Sequence, residues 1–398
     1  GGGQSPGRGA APAAACGGAS AEPPAAPLLC EGRRRLDALA RSVAAALVEG
    51  EGAYLARAIE LACESTELES DSLTFALVDG SFFALLRAFQ RACRAGMPGH
   101  AMLPLLDRLA DAIRDGPLPT LSRLARHAGP PAVNNGRFQA AANSAECAAA
   151  YCLRLRTVVA DGFTSHAPEL SGRAAAGLAR LEALASAFDA AAKSAVAELA
   201  AALIPTTWLL LEYETAEYRL AGAGEAAEAA LRAQFEQGVL RPLGRSLAEL
   251  RGRLRPPNLD WLVHALGCGL ASRLETGALA KQFDELGAML FSEHVRRLAD
   301  TLAGVSSATV RNDLGRLTQL AFILNAGSVG EAAGLLLSQL ASGASTGGSN
   351  RLTPQEAGRV LSLRVDFDRA EVRELLGVYF DMGFDEVDDE PARTPGPA

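Results

Sequence analysis

Apolar residues recur at helical spacing through the last quarter of the chain. Five of them fall at successive steps of four, three, four and three residues: Val310, Leu314, Leu317, Ala321 and Leu324. This spacing puts the five side chains on one face of a helix. The pattern predicts a helix from Thr309 to Asn325 that buries this face.

Three later helices begin with the same signal, a capping residue followed three positions later by glutamate. The pairs are Ser328 with Glu331, Thr353 with Glu356, and Asp368 with Glu371. In such a capping box the two side chains satisfy backbone N–H groups that the start of a helix leaves without partners. Pro354 strengthens the second pair, because proline is favoured at the first helical position.

A helical pattern also begins near the N-terminus, at Arg34, where Leu36, Leu39, Val43 and Leu47 share one face. Residues 1–32 are rich in Gly, Ala and Pro without periodicity, and we expect them to be disordered because they cannot bury enough apolar surface. Residues 381–398 form an acidic tail, which we also expect to be disordered. The alternative for this tail is a short linear motif that docks on a basic partner.

The pattern between these two ends predicts a succession of helices. Gly116-Pro117 and Gly129-Pro130-Pro131 interrupt the helical pattern, and a long alanine-rich helix is predicted from Arg173 to Leu203, with Pro205 ending it. No convincing strand alternation occurs. Long helices joined by short turns pack as antiparallel bundles. The sequence therefore predicts an all-α protein of tandem antiparallel helix bundles forming an elongated rod, with a first bundle over 33–205 and a C-terminal bundle over 206–380.

Composition supports helix and argues against a nucleic-acid surface. Hydrophobic residues make up 49% of the 398 residues but aromatic residues only 5%, and strands are normally richer in aromatic and β-branched residues. The 38 basic and 46 acidic residues give a net charge of −8. The only dense basic run is Arg33 to Arg35, whereas phosphate binding needs clustered cations. We therefore expect no nucleic-acid partner.

Cysteine usage points to a reducing compartment. The seven cysteines fit no disulfide framework. The longest apolar stretch, Ala195 to Leu211, is broken by a glutamate, a proline and two threonines, and falls short of a membrane span. The chain does not begin with Met, so we expect an N-terminal part to be missing from it.

Motifs for catalysis are absent from the sequence. The five histidines show no HxxxH or HExxH spacing, and no Gly-Lys-Ser/Thr follows the glycine-rich loop near Gly347. No nucleophile elbow, a GxSxG turn between a strand and a helix, is predicted either. We therefore predict no catalytic, cofactor-binding or metal-binding residues, no cofactor, and a protein that is not an enzyme.

Three blocks near the C-terminus carry a family resemblance. They read ELGAMLFSEHVRRL, TVRNDLGRLTQLAFILN and RLTPQEAGRVLSLRVDF, in this order. Together they resemble the C-terminal end of subunit 4 of the conserved oligomeric Golgi complex, a vesicle-tethering assembly. Weaker echoes lie upstream, including ANSAECAAA from Ala142 to Ala150. The chain departs from the family at Asn350, where an aromatic residue is expected, and in its acidic tail.

The resemblance implies a peripheral, non-catalytic subunit of a Golgi tethering complex that acts in retrograde intra-Golgi transport. It implies that the protein lies on the cytoplasmic face of the Golgi membrane, contacts the membrane indirectly, and binds the other subunits of the complex through helix surfaces. Contacts with membrane-fusion proteins and small GTPases at the Golgi would lie in an N-terminal half that this chain lacks.

The same blocks suggest where a structural site lies. Arg316 lies on the helix predicted from Thr309 to Asn325, and Glu356 lies in the first turn of the helix that follows the Gly/Ser loop. The two carry opposite charges, and a guanidinium could bridge them if these helices pack side by side. The alternative is an exposed pair in which Glu356 serves only its own cap. Arg311 and Asp313 flank the site, and we predict them as a possible partner surface.

Two other functional classes stay open at this point. One is a helical scaffold subunit of another tethering complex, either exocyst-like or Golgi-associated retrograde. The other is a helical enzyme whose site is assembled from scattered side chains. That class would require a pocket in which polar groups converge.

Overall fold

The computed structural model describes residues 25–69, 73–206, 217–306, 309–335 and 351–380. These residues are almost entirely helical. The two named strands in this part of the chain, β1 (Leu68–Glu69) and β2 (Thr74–Phe75), form a short antiparallel pair. The predicted all-α class is confirmed.

The first half of the chain contains six helices in its described part. They are α1 (Ala25–Glu64), α2 (Ala76–Arg94), α3 (Gly99–Asp115), α4 (Pro117–His127), α5 (Gly136–His166) and α6 (Ser171–Thr206). A short 3-10 turn, Pro168–Leu170, connects α5 to α6. The predicted interruption at Gly116-Pro117 separates α3 from α4, with Pro117 in the first helical turn.

The second half continues with shorter helices. They are α7 (Glu225–Phe235), α8 (Arg241–Arg251), α9 (Pro256–Leu279), α10 (Glu285–Ala303), α11 (Gly315–Leu324), α12 (329–335), α13 (Pro354–Leu361) and α14 (Arg369–Phe380). A π-helical turn, Glu236–Leu240, joins α7 to α8. Within the described ranges, no helix has the length and apolar content needed to cross a membrane.

Some element boundaries differ from the predicted ones. Helix α1 begins at Ala25, inside the segment expected to be disordered, and its first turn includes Pro27, a position where a helix tolerates proline. The helix predicted from Thr309 to Asn325 is instead a 3-10 turn over Val310–Asn312 followed by α11. Helix α6 includes Pro205, and residues 207–216 lie outside the described part, as do residues 1–24, 336–350 and the acidic tail.

Two clusters of buried apolar side chains form the core. The first joins α1 to α6 and includes Leu85, Leu105 and Phe163. The second extends from the C-terminal part of α6 to α14 and includes Leu266 and Leu320. The long helices α5 and α6 contribute to both clusters. The division of the chain into bundles at residue 205 stays a prediction.

Asn143 ties the two clusters together from within α5. Its amide nitrogen donates to the carbonyl oxygens of Leu73 at 3.1 Å and Arg253 at 2.9 Å. Its amide oxygen accepts from the backbone N–H of Arg255 at 3.0 Å and from Nδ2 of Asn258 at 3.1 Å. Asn143 is buried, and its amide is fully satisfied, as burial requires.

The N-terminal half of α1 stands apart from the core. All residues from 30 to 43 are exposed, and the first buried side chains of α1 are Ala44 and Val48. The predicted apolar face with Leu36, Leu39, Val43 and Leu47 therefore exists, but it faces outward.

Candidate functional site

Arg316 connects three helices at one end of the second core. From the first turn of α11, its Nη2 donates to Oε1 of Glu275 at 2.7 Å and to Oε1 of Glu356 at 2.8 Å. Glu275 lies near the end of α9, and Glu356 lies in the first turn of α13. Nη1 of Arg316 also donates to the carbonyl oxygen of Arg351 at 2.9 Å. We call Arg316, Glu275 and Glu356 the Arg316 junction.

The junction is better shielded than an ordinary surface ion pair. The side chain of Arg316 is 25% exposed and that of Glu275 is 16% exposed. Nε of Arg316 lies 3.3 Å from both carboxylate oxygens of Glu275, so the guanidinium holds this partner through two nitrogens. Partial burial weakens solvent screening, and a guanidinium that uses several N–H groups fixes orientation as well as distance.

The electrostatics of the junction favour the charged forms of Arg316 and Glu356. Hydrogen bonds to Glu275 first, and then to Glu356, raise the pKa of Arg316. Arg316 is in turn the main cause that lowers the pKa of Glu356 to about 2, and the backbone N–H of Thr353 adds to this effect. The bond between Arg316 and Glu356 is therefore charge-assisted across the whole neutral range.

Glu356 has two structural roles at once. Its Oε1 binds Arg316, while its Oε2 accepts the backbone N–H of Thr353 at 2.7 Å. Oγ1 of Thr353 accepts the backbone N–H of Glu356 at 3.3 Å, which completes a capping box. The alternative in which Glu356 serves only its own cap does not describe this geometry, since the carboxylate links the start of α13 to α11.

The other two predicted capping pairs do not form the full capping box. Ser328 accepts the backbone N–H of Glu331 at 3.1 Å, but the Glu331 carboxylate reaches the N–H of Gly327 instead of that of Ser328. Asp368 caps α14 by accepting the N–H of Ala370 at 2.8 Å. Glu371 is exposed, and in the described part of the chain no bond joins its carboxylate to Asp368. The short Asp side chain caps this helix without help from the glutamate.

Arg364 is a second anchor near the junction, which the sequence interpretation missed. It is buried and donates from Nη1 to the carbonyl oxygens of Leu324 and Ala326, at the C-terminal end of α11. Its Nε and Nη2 each bind one carboxylate oxygen of Asp366 at 2.8 Å, and its guanidinium lies over the Phe367 ring. A cation suits a helix C-terminus, where carbonyl groups lack partners. The only signal in the sequence is an arginine inside the apolar run LSLRVDF.

The predicted partner surface at Arg311 and Asp313 needs a correction. Arg311 is exposed, but the Asp313 side chain is only 11% exposed and its Oδ1 accepts from Nδ1 of His264 at 2.7 Å. The chain turns Asp313 inward because the 3-10 segment passes close to α9 at Gly267, where an added Cβ would lie 3.1 Å from Asp313 Cβ. Asp313 therefore fastens this segment to α9, and only Arg311 still offers a surface.

Asp313 also belongs to the one group of metal-ligand types found among the described residues, with His264 and Cys268. Zinc accepts all three types. However, Nδ1 of His264 is already bonded to Asp313, and the Cys268 sulfur lies 4.0 Å from the same nitrogen. This arrangement is a tether between two segments.

An open cleft between α1, α3 and α4 is lined by charged side chains, including Asp111 and Arg108. Asp111 is held by Arg114 at 2.9 Å and by Arg180 at 2.5 Å. The thiol of Cys63 in the cleft has its pKa raised, chiefly by burial, which disfavours a nucleophilic thiolate. The cleft gives no support to a helical enzyme.

Comparison with protein families gives a match over more than half of the chain. The family model "Conserved oligomeric Golgi complex subunit 4, C-terminal" matches residues 138–359. This range extends from α5 to α13 and contains Asn143, the Arg316 junction and most of the second core. It also reaches well upstream of the three blocks that carry the resemblance in the sequence.

Curated relatives agree with the family match. The chain is 28% identical over 333 residues to conserved oligomeric Golgi complex subunit 4 of Arabidopsis thaliana, covering 80% of this chain and 44% of the relative. It is 34% identical over 140 residues to the protein of the same name in Mus musculus, covering 35% of this chain and 17% of the relative. The chain thus spans less than half the length of these relatives.

Among solved structures, the chain is similar to the C-terminal domain of the exocyst subunit Sec6p. The TM-score is 0.55 at 10% sequence identity, over 87% of this chain and 90% of that domain. This likeness shows a shared fold, that of a helical rod from a tethering-complex subunit.

Proposed function

We propose that this chain, which belongs to the conserved oligomeric Golgi complex subunit 4 family, forms a helical arm of a Golgi vesicle-tethering complex that acts in retrograde intra-Golgi transport. The observation that carries the proposal is the family match over residues 138–359. The likeness to the exocyst subunit is one of fold at 10% identity, so it supports the helical-rod architecture and does not favour an exocyst role.

The proposed mechanism makes and breaks no covalent bond. Subunits of the complex are held through helix surfaces, and the arm must keep those surfaces in a fixed relation to one another. The Arg316 junction serves this purpose, because it fixes α9, α11 and α13 with bonds from one guanidinium. Arg364 does the same for α11 and the segment after α13. Charge-assisted bonds of this kind fix orientation, which a purely apolar contact leaves less defined.

The partners of this chain are the other subunits of the oligomeric Golgi complex. Contacts with membrane-fusion proteins and small GTPases belong to the amino-terminal half of the full-length protein. The protein is peripheral on the cytoplasmic face of the Golgi membrane, its membrane contact is indirect, and it is not an enzyme. The charged cleft at Asp111, where ion pairs occupy the carboxylate, supports this last point.

Replacement of the protein in its own cells tests the proposal. Cells depleted of the protein should lose the normal distribution of resident Golgi enzymes, and the full-length wild-type protein should restore it. A fluorescent fusion should coincide with a Golgi marker and be released from membranes by high salt or alkaline carbonate, as a peripheral protein is. A fusion that lies elsewhere, or normal Golgi enzymes after depletion, would contradict the proposal.

A further inference from the structure

Helix α1 is apolar on two faces, and the core covers only one of them. Residues Ala44, Val48, Leu55 and Ile59 are buried against the first core. A second stripe consists of large apolar side chains at steps of three, four, four, seven and seven residues, each between 45 and 68% exposed: Leu36, Leu39, Val43, Leu47, Tyr54 and Leu61. We call these six residues the α1 stripe.

The spacing of the α1 stripe specifies the kind of surface that covers it. Steps of three, four and seven residues form the narrow seam by which one helix packs along another. The stripe extends from residue 36 to residue 61, and these 25 steps correspond to about 37 Å along a helix axis. An exposed apolar surface of this length is typical of an interaction site.

Charge is divided between the two ends of the stripe. The N-terminal end carries Arg33, Arg34, Arg35 and Arg41 against the two carboxylates of Glu31 and Asp37. The C-terminal end carries Glu49, Glu60 and Glu64 against Arg57, while Glu51 is already bonded to Arg91 of α2. A helix that is basic at one end and acidic at the other is complementary to a copy of itself in the reverse direction.

An antiparallel pairing also matches the sizes of the side chains. In the register that places Leu36 opposite Leu61 of a second copy, Val43 lies opposite Tyr54 and Leu47 lies opposite Gly50. A Cβ added at Gly50 would meet no atom within 4 Å, so this position has open space for a leucine from another helix. The Leu47 side chain of one copy thus lies against Gly50 of the other copy, which has no side chain.

The same register brings opposite charges together along one edge. Arg35 would lie between Glu60 and Glu64 of the second copy, on the same flank of the seam. The present bond of Arg35 to Glu31, at 3.0 Å, joins two exposed side chains and can be exchanged at little cost.

The position of α1 on the bundle leaves room for this pairing. The projecting half, residues 30–43, makes no buried contact with the core, whereas the half from Ala44 to Glu64 packs on it. In an antiparallel pair the projecting half of each copy would cover the exposed stripe on the bundle half of the other. The two bundles would then lie at opposite ends of the shared helix pair.

We propose that the α1 stripe is a self-association surface, on which a second copy of this chain packs antiparallel with Leu36 opposite Leu61. The contact is isologous, because each copy presents the same stripe. It is separate from the Arg316 junction and adds an assembly property to the proposed arm.

Light scattering and sedimentation of the full chain over a range of concentrations test the association. The wild type should approach the mass of a dimer. The double variant Leu39→Glu/Val43→Glu should weaken the dimer about 100-fold or more, because it buries carboxylates in an apolar seam. Both side chains are exposed, so circular dichroism should show an unchanged helix content.

The matched control is Ala38→Glu/Ala45→Glu, which adds the same charge to exposed positions on the opposite side of α1. It should dimerise like the wild type. A wild-type chain that stays monomeric at every concentration, or a control that loses association as fully as the stripe variant, would overturn the proposal.

Disulfide trapping tests the direction of the helices. In a background with Cys16, Cys30 and Cys268 changed to serine, Leu47→Cys should form a covalent dimer, since the two copies of residue 47 lie about 4.5 Å apart along the axis. Leu61→Cys should not, since its two copies lie about 37 Å apart. Efficient trapping through Leu61→Cys would indicate parallel helices and contradict the proposed register.

Discussion

The hydroxyl of Tyr218 lies 2.9 Å from Nδ1 of His294, and both residues are buried in the second core. The imidazole also stacks on the Phe235 ring, with 4.2 Å between the ring centroids. Nε2 of His294 has no hydrogen-bond partner among the described residues. The histidine is therefore held as a neutral core residue, even though Glu293 precedes it in the sequence.

Acid should destabilise the protein through His294. Burial lowers the pKa of this imidazole to about 3, against 6.5 in the unfolded chain. Between these two pH values the unfolded state binds more protons than the folded state, so stability falls as the pH drops below 6.5. At pH 5 the loss should be about 2 kcal/mol, since each unit below the unfolded pKa is worth about 1.4 kcal/mol.

Urea denaturation of the wild type and two variants at pH 7 and pH 5 measures this effect. His294→Gln lacks the titrating group and should show a smaller loss of stability on acidification, even if it starts less stable. His100→Gln, at an exposed position, should keep the dependence of the wild type. An equal pH dependence in all three proteins would show that His294 is not its source.

Replacement of Arg316 should cost more than a surface arginine usually does. Arg316→Ala leaves Glu275 partly buried without its cation, and we expect a loss of about 2 to 3 kcal/mol in the free energy of unfolding. Arg316→Lys should recover only part of this, because one ammonium cannot reproduce the bonds from Nε, Nη1 and Nη2. Arg311→Ala, five residues away and exposed, is the matched control and should change stability by less than about 0.5 kcal/mol. Equal midpoints for Arg316→Ala and Arg311→Ala would show that the junction adds no stability.

Gly287 permits a close approach that any side chain would block. An added Cβ would collide with the carbonyl oxygen of Tyr218, so the backbone of one segment has to move. Gly287→Ala should therefore destabilise the protein by about 3 kcal/mol or more. Gly330→Ala, at an open and exposed position in α12, should be neutral or stabilise by up to about 1 kcal/mol. Thermal melts of the two variants compare them directly. Similar melting temperatures would contradict the close approach of Gly287 to the Tyr218 backbone.

Asn143 should be sensitive to any change of its amide. Asn143→Ala removes four hydrogen bonds and leaves the carbonyl oxygens of Leu73 and Arg253 buried without this donor. We expect a loss of about 3 kcal/mol, with hydrogen exchange becoming faster at the segment around Arg255. The exposed Asn134→Ala serves as its control. Unchanged exchange at this segment in Asn143→Ala would argue against a link between the two cores.

Local patterns in the sequence predicted local structure well. The five apolar residues from Val310 to Leu324 are all buried, as their spacing indicates. The start of this α-helix was harder to place, because a 3-10 turn and an α-helical turn differ little in period. The pattern of α1 likewise identified an apolar face, but periodicity alone does not reveal what covers it.

Contacts between distant residues could not be predicted from spacing. The sequence pairs Arg316 with Glu356 because they carry opposite charges within the blocks that carry the family resemblance, whereas Glu275 lies in an ordinary stretch of α9, 41 residues from Arg316. Asp313 was predicted as part of a partner surface because it flanks Arg316 on the same predicted helix. Its inward position depends on Gly267, 46 positions earlier, which leaves space for it.

Purification of the tagged full-length protein from its own cells, with quantitative mass spectrometry of the proteins that accompany it, tests the central claim most directly. The account predicts that the other subunits of the conserved oligomeric Golgi complex are recovered in amounts comparable to the tagged protein. An Arg316→Ala protein of equal abundance would show whether the junction contributes to that assembly. Recovery of exocyst-type subunits in place of the Golgi subunits, or of no tethering subunit at all, would contradict the account.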